Sequence, residues 1–176
     1  SWRSPADVLL LVDVARLARG SELGLFQPVK SKVIDTRIPR HLRGDDWVAF
    51  STRARAIVYN KATIDPASVA TYEALAAPGL RGKVCSRAGS HPYNLSLGAA
   101  LITHLGEART EEWARGIVAN FARPPQGGDT DQIKAVAAGE CGVAVSNSYY
   151  IARLLRSEKP EDQAVMAKVG VAWPNQ

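Results

Sequence analysis

Residues 139–150 read GECGVAVSNSYY, in which an apolar run follows a glycine and leads directly into two adjacent tyrosines. A short apolar run bounded in this way predicts a buried strand. Tyr149 and Tyr150 then lie where that strand passes into the next helix. Ligands of α/β sheets bind beyond the carboxyl ends of the strands, against helix N-termini. The stretch therefore predicts an α/β layer with a binding site at its edge.

The rest of the chain alternates in the same way between short apolar runs and segments with a helical pattern. This alternation predicts an α/β fold with a largely parallel sheet. The predicted strands are residues 6–12, 47–60, 83–85, 141–146 and 168–173, and the predicted helices are residues 14–20, 94–106, 110–120, 129–138 and 148–156, with a short helix opening at 71–75.

The composition is that of a globular protein, because 46% of the 176 residues are hydrophobic and 22% are charged, which excludes a disordered chain. The net charge of +5 suits an anionic ligand. Basic and acidic residues are interspersed, however, so a nucleic-acid interface is unsupported. No apolar run approaches the roughly 18 residues of a membrane span. The start of the chain carries no signal peptide, so we expect a soluble protein that is cytoplasmic or already trimmed.

A third tyrosine and two arginines occupy positions that suit the same site. Tyr93 lies in a Gly/Ser/Pro-rich turn before a helix, and Arg53 and Arg55 alternate along a predicted strand, so they share one face. A phenol has a pKa near 10 and ionises at neutral pH only beside a strong Lewis acid or a positive charge. Ferric iron is such an acid and prefers hard, anionic oxygen ligands. The tyrosines thus predict a ferric site whose affinity falls with pH, because each phenol must lose its proton.

Each of these residues also has a purely structural interpretation. The paired tyrosines could be aromatic wedges at a helix start, with one ring packed and the other at the surface. Tyr93 could be a partly buried turn residue, and the two arginines could form a solvated strand face. His91 is an outside candidate for a ligand, although a histidine in a polar loop is more often exposed to solvent. The pattern from Asp129 to Asp131 indicates an N-cap cluster rather than a carboxylate metal site.

Two other functional classes stay open on the residues alone. A protein that binds a small anion such as phosphate, sulfate or a carboxylate would use the helix N-termini after Ser90 and Ser148, together with the arginines. An enzyme has weaker support, since the chain has neither a Gly-x-Ser-x-Gly motif nor a P-loop, and no cysteine is paired with a plausible histidine. We therefore expect a binding protein rather than an enzyme.

The two cysteines, Cys85 and Cys141, each stand in a short apolar run. This placement allows one disulfide between neighbouring strands, and it equally allows two buried free thiols. A zinc site is not indicated, because the chain has no Cys-x-x-Cys spacing and its three histidines are far apart.

Several stretches of the chain match the motifs of one family of binding proteins. They are residues 4–10, 51–61, 82–85, 93–97, 113–116, 120–127 and 139–150. The double tyrosine also stands at the right distance after Gly139-Glu140-Cys141. Any one motif would be weak, but the combination covers nearly the whole chain. It closely resembles the extracytoplasmic ferric-iron-binding proteins of bacterial iron ABC importers, members of the type II periplasmic binding protein superfamily.

The resemblance implies two α/β lobes that are joined by crossing strands and close around Fe(III). By matching motif, Tyr149 and Tyr150 are the paired phenolate ligands, and Tyr93 is the third. Arg53 is implied as the cation beside these ligands, with Arg55 and Arg153 as weaker candidates for that role or for anion binding. The resemblance thus implies Fe(III) as the cargo, together with a synergistic anion such as carbonate.

A location and a partner also follow from the resemblance. It implies a periplasmic protein, or one that is lipid-anchored in its full-length form, and delivery of iron to an ABC transporter permease. It implies neither nucleic-acid binding nor stable insertion into a membrane. The oxidising compartment favours a disulfide between Cys85 and Cys141 over free thiols.

The family pattern extends beyond both ends of this chain. Relatives carry an amino-terminal segment, usually with a further His or Tyr ligand, and they continue past residue 176. We therefore expect a fragment of a longer protein or a shortened relative. Its iron site would be open on one side, and two chains could pair to complete it. By the same comparison, residues 57–157 are a nearly complete carboxyl-terminal lobe, residues 1–50 and 165–176 are a partial amino-terminal lobe, and residues 51–56 and 158–164 are crossing segments.

Overall fold

The computed structural model describes residues 5–176, and the chain divides into two compact units. The first unit ends at Thr52, and the second comprises Arg53–Gln176. Residues 165–176, which the resemblance assigns to the amino-terminal lobe, lie in this second unit. The division of the chain between the lobes of the family stays a prediction.

Within residues 5–52, the first unit contains two short helices, α1 (Val14–Glu22) and α2 (Lys32–Arg37), and a 3₁₀ turn follows at Arg40–Leu42. Asp13 begins α1, because its side chain accepts a hydrogen bond from the backbone N–H of Ala15. The predicted strand 6–12 is wrong, since these residues are irregular, with Leu10 74% exposed. An apolar run becomes a strand only beside a partner strand, and within residues 5–52 this run pairs with none.

The second unit is built on a sheet of four strands in the order β2-β3-β1-β4. The strands are β1 (Arg55–Asn60), β2 (Val84–Cys85), β3 (Val143–Asn147) and β4 (Val169–Ala172). The pairing of β2 with β3 is parallel, whereas β1 is antiparallel to both β3 and β4. The prediction of a largely parallel sheet is therefore wrong. The three strands that are linked through helices share one direction, and only β1, inserted between β3 and β4, runs against them.

The second unit also contains five α-helices. They are α3 (Pro92–Leu105), α4 (Glu107–Ala119), α5 (Asp129–Ala138), α6 (Ser148–Leu155) and α7 (Pro160–Lys168). The bounds of α5 agree with the prediction, because Gly139 ends the helix in the left-handed conformation at φ 81°. The sequence prediction omitted α7, although its first turn carries the helix-start signals Pro160, Glu161 and Asp162. The short helix predicted at 71–75 is a 3₁₀ turn over Glu73–Ala76.

The core lies on both faces of the sheet, because successive residues of β1 point to opposite sides. Ala56 and Val58 pack with α5, α6 and α7 on one face. On the other face, Ile57 packs with three 3₁₀ turns of the second unit, at Pro66–Val69, Glu73–Ala76 and Pro78–Leu80. All three side chains are fully buried. The predicted strand 47–60 becomes a strand only at Arg55, since residues 50–54 are exposed and lie outside the ladder.

The two cysteines form a disulfide, which confirms the pairing implied by the resemblance. Cys85 ends β2 and Cys141 lies two residues before the start of β3, and their Cα atoms are 5.8 Å apart. Both residues are buried. Within residues 5–176, no helix combines the length and the hydrophobicity needed to cross a membrane.

Candidate metal centre

Three tyrosines from distant segments of the second unit meet in one place. The hydroxyl oxygens of Tyr93 and Tyr149 are 2.8 Å apart. The rings of Tyr149 and Tyr150 stack at a tilt, with their centroids 4.4 Å apart. We call Tyr93, Tyr149 and Tyr150 the tyrosine cluster. The structure thus brings together the three residues that the sequence singled out, while their role as ligands stays a prediction.

The sheet explains why these segments converge. β2 and β3 are parallel neighbours, so the chain leaves both strands at the same edge of the sheet. Tyr93 lies in the first turn of α3, which follows β2, and Tyr149 and Tyr150 lie in the first turn of α6, which directly follows β3. The cluster therefore sits where helix N-termini face the carboxyl ends of strands, as ligand sites of α/β sheets do.

His91 has a structural role beside the cluster. Its Nδ1 accepts a hydrogen bond from the backbone N–H of Tyr93, which caps α3. Its ring also contacts the ring of Tyr93 edge-on, at a centroid distance of 4.5 Å. His91, an outside candidate for a metal ligand, therefore uses its Nδ1 atom to cap α3.

The tyrosine cluster is open to solvent, since Tyr149 is 42% exposed. A hydrogen bond with Tyr149, together with partial burial, raises the pKa of Tyr150 above the ordinary value, because both favour the neutral phenol. Tyr150 therefore stays protonated at neutral pH unless a cation takes the place of its proton. A cation that binds here must be a strong enough Lewis acid to make that exchange favourable.

Arginine side chains line the same cluster. The Cζ atoms of Arg53 and Arg55 lie 5.2 Å and 5.7 Å from the centroid of the Tyr93 ring. The Cζ atom of Arg153 lies 5.4 Å from the centroid of the Tyr150 ring. All three predicted arginines are thus at cation–π distance from a tyrosine of the cluster.

A fourth arginine, which the sequence analysis missed, is the nearest of all to Tyr93. The Cζ atom of Arg87 lies 5.0 Å from the centroid of that ring. Arg87 follows β2 by two residues, so it belongs to the same edge of the sheet as Tyr93. Its position beyond the carboxyl end of a strand is the signal that could have identified it.

One buried carboxylate holds two of these arginines. Asp129 is fully buried, and its two oxygens accept hydrogen bonds from Nη1 of Arg87 at 2.9 Å and from Nη1 of Arg55 at 2.9 Å. Burial lowers the pKa of Arg55, an effect that the ion pair with Asp129 opposes. We call Asp129, Arg55 and Arg87 the ion cluster.

The N-cap position of α5 is occupied by Gly128, so the N-cap interpretation predicted for Asp129 to Asp131 is wrong in detail. Asp131 is the third residue of the helix, and its side chain reaches back to accept a hydrogen bond from the backbone N–H of Gly128 at 2.6 Å. Asp129 instead turns inward, under the tyrosines. The two residues carry the same charge in the same helix turn, so their sequence alone does not distinguish them.

Two asparagines complete the surroundings of the ion cluster. Arg55 donates from Nη2 to Oδ1 of Asn94 at 2.8 Å and from Nη1 to Oδ1 of Asn147 at 3.0 Å. The backbone N–H of Asn147 donates to Asp129 at 2.7 Å. Asn94 directly follows Tyr93, and Asn147 lies two residues before Tyr149. The ion cluster is thus bonded to both segments that carry the tyrosines.

A metal at this place would depend on the phenol oxygens. Among residues 5–176, no group of three or more His, Cys, Asp and Glu side chains is arranged to hold a metal ion. Three phenolates are hard, anionic oxygen donors, which suit a trivalent cation better than a soft one. The donor set therefore fits ferric iron.

Known proteins resemble this chain closely. Iron uptake protein A1 of Synechocystis is 51% identical over 175 residues, which are 98% of this chain and 49% of that protein. The structure of a Trichodesmium protein (IdiA, FutA) in complex with iron and citrate ligands is 52% identical, with a TM-score of 0.92, over 98% of this chain and 55% of that one. The ferric binding protein from Campylobacter jejuni is 41% identical, with a TM-score of 0.87, over 93% and 53% of the two chains. No protein-family model matches the chain.

These comparisons confirm the resemblance and the mixed α/β fold of the type II periplasmic binding protein class. The chain spans about half the length of the relatives it matches. Over nearly all of its own length, this chain is a homologue of the iron uptake and ferric-binding proteins.

Proposed function

We propose that the chain binds ferric iron through Tyr93, Tyr149 and Tyr150, as the cargo site of a solute-binding protein for an iron ABC importer. The contact of 2.8 Å between the hydroxyls of Tyr93 and Tyr149 is the observation that carries the proposal. These residues are 56 positions apart in the sequence, and the fold brings their hydroxyl groups into direct contact at a solvent-exposed place. The similar proteins are named for iron, which favours iron over the small-anion alternative.

The charges around the tyrosine cluster support a trivalent cargo. Three phenolates would neutralise the charge of Fe(III). Water or an anion would fill the remaining positions of the metal. The Trichodesmium structure holds citrate with its iron, so a carboxylate is a candidate here, and carbonate is another. Arg53 and Arg153 are the side chains that would hold such an anion bidentately.

The proposal extends to the rest of the transport system. The protein would work outside the cytoplasmic membrane, in the periplasm or lipid-anchored in a full-length form, and would hand its iron to an ABC permease. It would be a carrier rather than an enzyme. Residues 57–157 would form the carboxyl-terminal lobe, with the remaining residues in a partial amino-terminal lobe and crossing segments. Two chains could pair across the open side of the site.

Visible absorption of the iron-loaded protein tests the proposal. The purified chain is mixed with ferric citrate, desalted and scanned for the broad tyrosinate-to-iron charge-transfer band, and bound iron is counted. We expect a coloured protein with one iron per chain. Tyr149→Phe should abolish the band, because it removes one phenolate.

The matched control for that variant is Tyr59→Phe. Tyr59 lies in β1, where its ring packs against Gly170 of β4, so its loss should leave both the band and the bound iron unchanged. Retention of the band at full strength in Tyr149→Phe would contradict the proposed ligand set. A colourless, iron-free wild-type chain would contradict the proposed function itself.

A further inference from the structure

We propose that Asp129 is the positioning residue of the tyrosine cluster: it fixes the two guanidinium groups beneath Tyr93 and the peptide that leads into Tyr149 and Tyr150. The expected effect of Asp129 on iron binding rests on the proposed ferric function. The positioning itself is inferred from the geometry of the iron-free protein. Asp129 would touch no iron itself. Its effect would reach the metal through the residues that it holds.

The contacts of Asp129 converge from three separate segments. Its carboxylate accepts from Arg55 of β1, from Arg87 after β2 and from the backbone N–H of Asn147 at the end of β3. The carboxylate is fully buried, whereas all three tyrosines that surround the proposed iron position are at least partly exposed. A buried, fully bonded carboxylate is a rigid reference point, because each of its contacts would be costly to leave unmade.

The two arginines depend on this carboxylate for their orientation. In the part of the chain described, the Nε atoms of Arg55 and Arg87 are buried without a hydrogen-bond partner. Their guanidinium groups are therefore oriented through the Nη atoms, and Asp129 is the group that bonds to both. Like charges this close repel each other, and the carboxylate between them offsets that repulsion. Without it, the two cations would separate.

Tyr93 rests on the groups that Asp129 orients. The Cζ atoms of Arg55 and Arg87 lie 5.7 Å and 5.0 Å from its ring centroid. A shift of either guanidinium would move the ring or remove the positive charge beside it. On the other side of the cluster, Asn147 donates to the hydroxyl of Tyr149 at 3.5 Å, and its backbone N–H is the one bonded to Asp129. One carboxylate thus sets the positions of phenols on two helices.

The variant Asp129→Asn separates positioning from simple electrostatics, because the two effects have opposite signs. Removing a negative charge favours phenolates, so a purely electrostatic role predicts tighter iron binding. Positioning predicts weaker binding, since the amide cannot accept from both arginines and the Asn147 peptide together. Groups that orient metal ligands typically contribute about 10- to 100-fold to affinity, and we expect a loss of that size here.

The experiment compares ferric affinity, by competition with citrate, and the charge-transfer band in five proteins. They are the wild type, Asp129→Asn, Arg87→Gln, the double variant and Asp131→Asn, which is the control of equal charge change in the same helix turn. We expect weaker binding and a shifted band in both single variants. The double variant should be little weaker than Asp129→Asn alone, because both changes break one linkage. Asp131→Asn should match the wild type.

Unchanged or tighter binding by folded Asp129→Asn would overturn the proposal. If Asp129→Asn fails to fold, Arg87→Gln serves in its place, because it keeps the ion pair between Asp129 and Arg55. Wild-type iron affinity in Arg87→Gln would overturn the proposal equally.

A second test needs no iron and uses NMR to follow the ring resonances of Tyr93 and Tyr149 in the iron-free proteins. They should move in Asp129→Asn and stay in place in Asp131→Asn. Resonances that do not move would overturn positioning even if the wild-type chain binds no iron, an outcome that would count separately against the proposed function.

Discussion

The ion cluster and the tyrosine cluster are neighbours in the second unit, yet they differ in their access to solvent. Asp129 is fully buried, while Tyr149 is 42% exposed. The ion cluster consists of a carboxylate and two guanidinium groups that are bonded to one another, and the tyrosine cluster consists of phenols, two of which share an exposed hydrogen bond. The difference indicates a division of roles, in which the buried charges fix the geometry and the open phenols are free to exchange a proton for a metal.

This division has an energetic basis. A buried ion pair costs desolvation and contributes little net stability when it is complete, but removing one partner leaves an uncompensated charge in the interior. An exposed hydrogen bond can be replaced by water at little cost. We therefore expect substitutions in the two clusters to differ sharply in their effect on folding.

The largest expected effect on stability is that of Asp129→Ala. It leaves Arg55 and Arg87 buried without their shared carboxylate, which should lower the free energy of unfolding by about 3–5 kcal/mol. Urea unfolding followed by circular dichroism measures the loss. Asp131→Ala is the control and should lose only about 1 kcal/mol, the usual contribution of one hydrogen bond at the start of a helix. Equal losses in the two variants would mean that the ion cluster does not stabilise this edge of the sheet.

Removal of the disulfide should have the next largest effect on stability. The disulfide also holds the end of the strand that leads to the ion cluster. Cys85 ends β2, and Arg87 lies two residues further along. Replacing both cysteines with alanine should lower the free energy of unfolding by about 2–4 kcal/mol, since the bond limits the freedom of the unfolded chain. The same unfolding assay, with and without a reductant, tests this. A wild-type protein that is equally stable in reductant would contradict it.

The sequence predicted most of the fold of the second unit and failed where a structure depends on distant partners. The helix α5 could be located because an acidic first turn and Gly139 mark its two ends. The run 6–12 could not be assigned correctly, since apolar residues do not reveal whether a neighbouring strand exists. The reversed direction of β1 is likewise invisible locally, because it depends on where β3 and β4 lie.

The candidate site likewise has one part that the sequence predicts and one part that it does not. The tyrosines could be predicted to converge, because each stands at the start of a helix beside a predicted strand end. The ion cluster could not, since Asp129 pairs with residues 42 and 74 positions away and no spacing rule covers such distances. Buried ion pairs follow from tertiary packing, and their members look like ordinary surface charges in the sequence.

A smaller effect on stability is expected for Tyr72, a partly buried tyrosine outside the tyrosine cluster. The hydroxyl of Tyr72 donates to the backbone carbonyl of Arg55, and burial raises the pKa of Tyr72. Because the pKa of Tyr72 is higher in the folded protein than in the unfolded chain, its hydroxyl stabilises the fold fully below the unfolded pKa of about 10. This stabilisation is lost as the pH rises through the pKa of the folded protein. Tyr72→Phe should therefore be about 1 kcal/mol less stable than the wild type at pH 8, and this difference should shrink by pH 11. A difference that stays constant between pH 8 and pH 11 would contradict the assignment.

The smallest expected effect on stability is that of Tyr149→Phe, the variant that should abolish iron binding. The hydroxyl of Tyr149 bonds to that of Tyr93 in solvent, where water can replace it. The free energy of unfolding of the iron-free protein should therefore change by less than about 0.5 kcal/mol, and urea unfolding in the presence of a chelator measures it. With iron added, only the wild type should gain stability, because the metal binds the folded state alone. A large loss in the iron-free variant would mean that the tyrosine cluster also holds the fold together, and the contrast with the ion cluster would disappear.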